Sequence, residues 1–319
     1  MATRVVLDMD VGIDDALAIM FLAAHDDVEI EALGSIHGNI DAQRGALNGL
    51  RVLELCGRPD VPVAEGATEP LNQPLRTGWV VHGTDGIGNM YSPPEGTITG
   101  ESASDQILRL SQESPGELHL LATGPLTNLA LAATADPEVF TRYKSVVIMG
   151  GSGYETLHWG SLTEDPNVDY DPEASDIVYR TPGNYTQIGM NLEPYLVLDE
   201  TRLPELEKAK QPHSEFVWKM LQQYLDFHEK IFVHRRIATL WDPLAAAVLL
   251  DPTLIQSSTQ RPVDLVPSDL GFRGLGLNDR RAGGRFDQRP DVNIVTAVDA
   301  DRFVDVFLEK LTGPMPRTG

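Results

Sequence analysis

The chain has 319 residues, 42% of them hydrophobic, so it can bury a large core as one big domain or two modest ones. Its formal net charge of −22 argues against binding to nucleic acids or anionic membranes, which both require basic surface, and also disfavours an anionic substrate. No charged and apolar signal segment opens the chain, and no stretch approaches the roughly 20 apolar residues of a membrane helix. With Cys56 as the single cysteine, we predict a soluble, cytoplasmic protein.

The first two hundred residues alternate between strand-like and helix-like segments, which is typical of a parallel sheet covered by helices. Val5 to Leu7 predict a buried strand, and the amphipathic segment from Asp14 to His25 predicts a helix. Further candidate strands lie at 28–36, 117–123, 145–149 and 184–190. Further candidate helices lie at 41–57, 103–113, 126–134, 172–179, 214–232, 240–250 and 301–311. No repeat or low-complexity linker divides the chain, so we predict one α/β domain over residues 1–319.

Three segments rich in glycine and proline are long for connections between secondary-structure elements. They lie at 65–100, 150–172 and 267–291. Loops of this length in a compact enzyme are usually functional or mobile. We therefore expect these three segments to be functional or mobile.

Four aspartates crowd the turn between the first predicted strand and the first predicted helix. Asp8, Asp10, Asp14 and Asp15 would repel one another strongly unless a cation or shared protons neutralise them. Helix capping would explain Asp14 and Asp15, but not Asp8 and Asp10. Because the ligands are all oxygen and no cysteine or histidine stands nearby, calcium or magnesium is favoured over zinc. The segment therefore predicts a divalent metal site.

Polar or adaptable residues stand at the ends of successive predicted strands. Asn39 follows the second strand, Thr123 ends a later one, and Met149 ends the one after that. Turn propensity alone would account for each residue singly. The carboxyl ends of parallel strands nevertheless share one edge of the sheet, where open α/β sheets bind ligands.

A tryptophan and an aspartate open a later apolar helix. Asp242, followed by a proline, is an ordinary helix start. The alternative is that Asp242 supplies a distant carboxylate to the same cation, while Trp241 presents an aromatic face to a substrate ring. Both interpretations fit the local sequence.

Motifs along nearly the whole chain resemble those of the nucleoside hydrolases of the inosine-uridine-preferring superfamily, in the family order. They are DMDVGIDDA at 8–16, HGN at 37–39, HGTDGIGN at 82–89, TGPLTNLALA at 123–132, VVIMGG at 146–151, NVDYDPEA at 167–174 and WDPLAAAVLLDP at 241–252. The aspartate-rich opening is the hallmark of that family. The resemblance implies a doubly wound α/β sheet and a calcium-dependent hydrolysis of nucleosides to ribose and free base. It also implies a homodimer or homotetramer.

The resemblance also implies roles for individual residues. Ca²⁺ would be bound by Asp10, Asp15, the backbone carbonyl of Thr123 and Asp242, with Asp10 also the general base toward a calcium-bound water. Ribose would be held by Asp14, Asn39, Asn167 and Asp242, and Met149 would line the ribose pocket. Cleavage of a C1′–N bond builds positive charge on the ribosyl ring, so a carboxylate-lined pocket suits this chemistry.

The expected base preference depends on Trp241. Many family members have histidine here, taken as the leaving-group acid, and tryptophan marks the purine-specific subgroup. We therefore expect purine nucleosides to be favoured, with the base stacked on Trp241 and Trp79 or Trp159 assisting. His82, which matches a family position near the base, and His228 are the alternative proton donors or substrate contacts.

One loop departs from the family pattern. Residues 152–167 read SGYETLHWGSLTEDPN, where the family commonly has an asparagine followed by AEFN or AEWN. Either Glu164 or Asp165 is a candidate to hold the 5′-hydroxyl. This departure leaves recognition around the 5′ position open.

Two other functions fit parts of the sequence. VVLDMDVGI resembles the strand of haloacid-dehalogenase-type phosphatases, but the later lysine and acidic motif of that family are not found in a suitable context. A non-catalytic, calcium-dependent binder of nucleosides or ribose is the second alternative. The presence of both Asp10 and Asp15 argues against it.

Overall fold

The computed structural model describes residues 2–151, 166–265, 276–278 and 289–316. The strands are β1 (Thr3–Met9), β2 (Val28–Ser35), β3 (Val63–Ala64), β4 (Leu118–Ala122), β5 (Ser145–Met149), β6 (Tyr185–Ile188), β7 (Val197–Leu198), β8 (Ala238–Thr239), β9 (Ile255–Arg261), β10 (Val263–Leu265), β11 (Gly276–Asn278) and β12 (Val292–Val298). The helices are α1 (Ile13–Ala23), α2 (Ala42–Leu55), α3 (Trp79–His82), α4 (Ala103–Glu113), α5 (Thr127–Ala135), α6 (Pro166–Tyr170), α7 (Pro172–Arg180), α8 (Leu203–Lys208), α9 (Pro212–Phe227), α10 (Trp241–Leu250) and α11 (Ala300–Thr312).

The main sheet has eight strands in the order β3-β2-β1-β4-β5-β6-β12-β9. All neighbouring pairs are parallel except β12 with the edge strand β9. The chain moves outward from β1 through β2 to β3, then returns to the other side of β1 at β4. The carboxyl ends of β1 and β4 therefore flank a topological switch point, the usual ligand site of such sheets.

Apolar side chains of β1 alternate between two cores, one on each face of the sheet. Val5, Leu7 and Met9 belong to the core that also contains residues of α1, α2, α9, α10 and α11. Val6 belongs to the other core, with residues of α4, α5 and α7. Every residue of α1 is buried, because this helix contacts β2 of the sheet and also packs against α2, α9, α10 and α11. The turn before α1 is thereby held firmly at the sheet edge.

The predicted fold class is confirmed: the structure is a single α/β domain with a mostly parallel sheet covered by helices on both faces. Three details differ from expectation. The segment at 65–100 contains a short helix, α3, and the main sheet ends with an antiparallel edge strand, β9, beside β12. Helix α9 ends at Phe227 and a π-helical turn follows it to Phe232. Among the described residues, no helix is long and apolar enough to cross a membrane.

Candidate active site

Two of the predicted metal ligands lie on either side of the switch point. Asp10 is the first residue after β1, and Thr123 is the first residue after β4. The Thr123 N–H donates to the carbonyl of Asp8 (3.0 Å), which extends the pairing of the two strands to their ends. The sheet itself thus brings Asp10 and Thr123 together.

Asp15 receives hydrogen bonds from three elements. Its carboxylate accepts the backbone N–H of Gly12 (2.8 Å), the hydroxyl of Thr123 (2.6 Å) and the side-chain amide of Asn39 (3.0 Å). The bond from Gly12 caps the start of α1, as the sequence suggested for an acid in the first turn. The same carboxylate is also part of the acidic cluster, so capping does not exclude a second role.

Asn39 links Asp10 to Asp15. Its backbone N–H donates to Asp10 Oδ2 (2.6 Å), while its side-chain nitrogen lies 3.2 Å from Asp10 Oδ1 and 3.0 Å from Asp15 Oδ2. Glycines allow these close approaches: a Cβ at Gly38 would lie 2.0 Å from Asp10 Oδ2, and a Cβ at Gly12 would lie 2.4 Å from the Asn39 amide nitrogen. The loop after β2 is therefore packed directly onto the acidic turn.

Three carboxylates converge closely enough to share a cation. Ligand oxygens of Asp14, Asp15 and Asp242 all lie within 4.8 Å of one another, and all three residues are buried. Asp14 Oδ1 has no hydrogen-bond partner among the described residues. A buried, all-oxygen donor set with an unpaired carboxylate oxygen suits a hard divalent cation. The cluster could therefore hold a metal ion.

The environment of these carboxylates opposes their ionisation. Burial raises the pKa of Asp14 to about 6, and burial followed by the charge of Asp14 raises the pKa of Asp15 to about 6. Burial and the charge of Asp15 raise the pKa of Asp10 well above its usual value. Burial and the neighbouring aspartates do the same for Asp242. Without a metal, protons shared among the carboxylates would relieve their mutual repulsion. A bound divalent cation would relieve the same repulsion and leave the carboxylates ionised.

Asp8 lies on the opposite face of β1 from Met9 and contacts Asn128 of α5. One carboxylate oxygen accepts the side-chain amide of Asn128 (2.8 Å), and burial raises the pKa of Asp8 to about 8. The Asn128 amide also donates to the carbonyl of Ser35 at the end of β2 (2.8 Å). Asp8 therefore links β1 to α5 and to the end of β2 behind the cluster.

Asn167 and Met149 meet on the other side of Thr123. The Asn167 side-chain nitrogen donates to the carbonyls of Thr123 (2.8 Å) and Met149 (3.2 Å), and it lies 3.3 Å from the Met149 sulfur. Asn167 belongs to the short helix α6, and Met149 is the last residue of β5. Asn167 and Met149, two of the residues predicted to contact ribose, thus lie beside Thr123 at the carboxyl edge of the sheet.

His82 lies against the start of α1. Its Nδ1 accepts the backbone N–H of Ile13 (3.1 Å) and lies 3.7 Å from Asp14 Oδ1. Because Nδ1 is the acceptor, the neutral ring carries its proton on Nε2. Burial lowers the pKa of His82 to about 4. The ring also stacks on Tyr224 of α9, with centroids 5.8 Å apart.

His228 lies just beyond α9 in an aromatic cluster. Its ring is in edge contact with Tyr224, Phe227 and Phe232. Its Nδ1 lies 2.8 Å from the carbonyl of Tyr224, and burial lowers its pKa. His228 is thus packed against Tyr224, the residue that also stacks on His82.

The two described tryptophan candidates differ in exposure. Trp241 begins α10 and is partly buried, and its indole nitrogen is buried without a hydrogen-bond partner among the described residues. Trp79 begins α3 and is 53% exposed. Glu164, Asp165 and Trp159 lie outside the described residues.

A buried chain of hydrogen bonds behind the site was not predicted from the sequence. His37 Nε2 lies 3.0 Å from the hydroxyl of Thr127, which donates to Asp171 Oδ2 (2.7 Å). Asp171 also caps α7 through the N–H of Ala174 (3.0 Å). The signals available were only the HGN, TGPLTN and YDPEA segments that contain these residues. They carry no pattern that pairs residues so far apart.

Comparison with known proteins agrees with the architecture. The sequence model of the family described as inosine-uridine preferring nucleoside hydrolase matches residues 5–305. A probable uridine nucleosidase 1 from Oryza sativa subsp. japonica is 34% identical over 78% of this chain and 77% of its own length. The inosine-uridine preferring nucleoside hydrolase of Leishmania major is 32% identical over 98% of both chains.

Solved structures give the same result. A plant nucleoside hydrolase superposes with a TM-score of 0.92 at 28% identity, covering 98% of this chain and 100% of its own. A purine-preferring ribonucleoside hydrolase from Gardnerella vaginalis superposes with a TM-score of 0.89 at 26% identity, covering 98% of both chains. These matches do not support the phosphatase or the non-catalytic binder. The chain belongs to the inosine-uridine preferring nucleoside hydrolase family and is an enzyme that cleaves the N-glycosidic bond of ribonucleosides.

Proposed function

We propose that the enzyme hydrolyses ribonucleosides with the help of one Ca²⁺ ion, held by the carboxylates of Asp10, Asp15 and Asp242 and the carbonyl of Thr123. The observation that carries this proposal is the convergence of the buried carboxylates of Asp14, Asp15 and Asp242 at the switch point of the sheet. Asp10 joins this cluster through the side-chain amide of Asn39, which contacts both Asp10 and Asp15. All-oxygen ligands suit calcium, which accepts flexible sets of carboxylates and carbonyls. When bound, the ion would lower the pKa of water and bind hydroxyls of the ribose.

Asp10 is proposed as the general base. It is completely buried, and both of its carboxylate oxygens accept N–H groups of Asn39, which orient the carboxylate. This fixed orientation suits a group that accepts a proton from the attacking water. The remaining carboxylates stabilise the positive charge that develops on the ribosyl ring as the C1′–N bond breaks.

Ribose is proposed to bind among Asp14, Asn39, Asn167 and Asp242, with Met149 against the sugar. Carboxylate and amide groups can accept from and donate to a vicinal diol, which fixes the anomeric carbon beside the water. A site built around hydroxyls rejects an analogue that lacks one, because its buried polar groups then stay unpaired. Either Glu164 or Asp165 is proposed to hold the 5′-hydroxyl.

The base is proposed to stack on Trp241, with Trp79 or Trp159 assisting, and purines to be favoured. The indole N–H does not ionise at neutral pH, so Trp241 cannot act as an acid. It would act through stacking of its ring face and through hydrogen-bond donation from its N–H. His82 would donate a hydrogen bond from its neutral ring, and His228 would contact the base rim. Because two relatives are named uridine nucleosidases, a preference for uridine is the alternative that the experiment must test.

The remaining predictions concern the molecule as a whole. We propose that residues 1–319 form one catalytic domain. The homodimer or homotetramer implied by the resemblance stays a prediction, and so does the cytoplasmic setting inferred from the single cysteine.

A nucleoside panel tests the proposal. Ribose release is measured for inosine, uridine and 2′-deoxyinosine with wild-type enzyme, Asp10→Ala and Trp241→Ala. We expect inosine to be the best substrate, 2′-deoxyinosine to react slower by a factor of about 10² or more, and Asp10→Ala to be inactive. Trp241→Ala should reduce the rate for inosine more than the rate for uridine.

Each part of the proposal can fail separately. Similar kcat/KM for inosine and 2′-deoxyinosine would contradict the ribose site. Faster cleavage of uridine, or an unchanged inosine rate in Trp241→Ala, would contradict the role of Trp241. Substantial turnover by Asp10→Ala would contradict its role as base.

A further inference from the structure

Helix α6, which carries Asn167, consists of only five residues. A helix this short has no stability of its own, because the first turn costs more conformational entropy than its hydrogen bonds return. Contacts with the rest of the protein must therefore decide where Asn167 points. This inference rests on the proposed function in one respect, the contact of Asn167 with ribose.

The described contacts at the far end of α6 come largely from one loop. The Gln73 side-chain nitrogen donates to the carbonyls of Asp169 (2.7 Å) and Tyr170 (2.5 Å), from 96 and 97 residues away along the chain. Arg76 donates to the same carbonyl of Asp169 (2.8 Å) and lies 2.9 Å from its carboxylate. The loop that contains Gln73 and Arg76 thus holds the last residues of the helix.

Gln73 makes the more important of these contacts. The last carbonyls of a helix have no partner within the helix, and one amide nitrogen supplies two N–H groups in a fixed geometry. The Arg76 side chain is half exposed, so solvent and salt weaken its ion pair with Asp169. Gln73 is partly buried, and its hydrogen bonds do not depend on ionic strength.

The loop is itself anchored to the site at both ends. The N–H of Leu71 donates to Asp171 Oδ2 (2.9 Å), and the N–H of Gly78 donates to the carbonyl of Gly38 (2.9 Å), next to Asn39. The loop therefore joins the segment after α6 to the segment that packs on the acidic turn. The position of the loop is therefore fixed relative to the acidic cluster as well as to α6.

We propose that Gln73 is a positioning residue for Asn167. Its amide holds the carbonyl end of α6, so that Asn167 at the other end stays on the Thr123 and Met149 carbonyls, where a ribose would bind. Gln73 itself does not touch the substrate. Its loss lets α6 shift and costs rate through the misplaced Asn167, since a displacement of about 1 Å in a binding residue lowers rates up to about a hundredfold.

Three variants test the proposal through kcat/KM for inosine. Gln73→Met keeps the length of the side chain but has no N–H, and it should lower kcat/KM about tenfold. Gln73→Lys keeps an N–H donor and should recover most of the loss. Gln256→Met makes the same change at an exposed position of the edge strand β9 and should have no effect. Melting temperatures are measured for all variants, and Gln73→Ala replaces Gln73→Met if the latter does not fold.

A double-mutant cycle identifies the residue through which Gln73 acts. In an Asn167→Ala background, Gln73→Met should change kcat/KM by less than about twofold, because the group it positions is already gone. A tenfold loss that persists in that background would overturn the proposal, as would an unchanged rate in Gln73→Met or a Gln73→Lys enzyme that stays slow. These outcomes leave the proposed function standing. An Asn167→Ala enzyme with full kcat/KM would instead overturn the ribose contact, and this inference with it.

Discussion

Replacement of His37 should change how the stability of the enzyme depends on pH. His37 is completely buried behind the site, and burial lowers its pKa from 6.5 to about 4. The Thr127 hydroxyl gives its hydrogen to Asp171, so His37 must donate from Nε2. Its Nδ1 then carries no proton and has no partner among the described residues. The ring is therefore folded in its neutral form.

The sign and size of the effect follow from this difference in pKa. The unfolded chain takes up a proton at His37 near pH 6.5, while the folded protein does so only near pH 4. The contribution of the neutral ring is therefore complete above pH 6.5 and is lost as the pH falls from 6.5 to 4. Between pH 7 and pH 5 the loss amounts to about 2 kcal/mol.

The assay is equilibrium urea unfolding at pH 7 and pH 5, followed by tryptophan fluorescence. His37→Asn removes the titrating ring, so its free energy of unfolding should fall by about 2 kcal/mol less than that of the wild type over this range. His234→Asn, at an exposed residue, is the control and should follow the wild type. Equal pH dependence in wild type and His37→Asn would refute the argument that His37 is folded in its neutral form.

Two further substitutions test how the site and its surroundings are held. Gly38→Ala places a Cβ 2.0 Å from Asp10 Oδ2 at a backbone φ of +152°, so the carboxylate must move and the melting temperature should fall. Ribose release by the folded protein should fall about a hundredfold or more; a normal rate would show that Asp10 need not stay in place. Arg289, which is 7% exposed, pairs with Asp176 and Asp264, so Arg289→Met should lower the free energy of unfolding by about 3 kcal/mol in urea titrations. A change below about 1 kcal/mol would mean that the buried pairs are not important for stability.

The sequence predicted the acidic turn well because all its determinants are local. A short apolar run before the aspartates indicated β1, and the apolar pattern after Asp14 indicated α1, which begins at Ile13 and ends at Ala23. Strand ends share one edge of a parallel sheet, so Thr123 and Met149 could also be placed beside this turn. The structure confirms that neighbourhood, whereas the roles of these residues stay predictions.

Contacts between distant segments could not be predicted in the same way. Gln73 lies 96 residues from Asp169, and nothing in either local sequence indicates that they pair. His37 stands in a segment that resembles the family, yet its hydrogen bond to Thr127 spans 90 residues. The antiparallel direction of β9 could not be predicted, because the register and direction of an edge strand depend on its neighbour, here β12, and not on its own residues.

Hydrolysis by this enzyme is proposed to depend on one calcium ion held by the carboxylates at the switch point. The most direct measurement is ribose release from inosine by chelator-treated enzyme, titrated with calcium while bound calcium is counted. We expect negligible release without calcium and a rise that saturates at one ion per chain, with no such rise in Asp242→Ala. Full activity in the presence of chelator, or equal calcium dependence in Asp242→Ala, would contradict it.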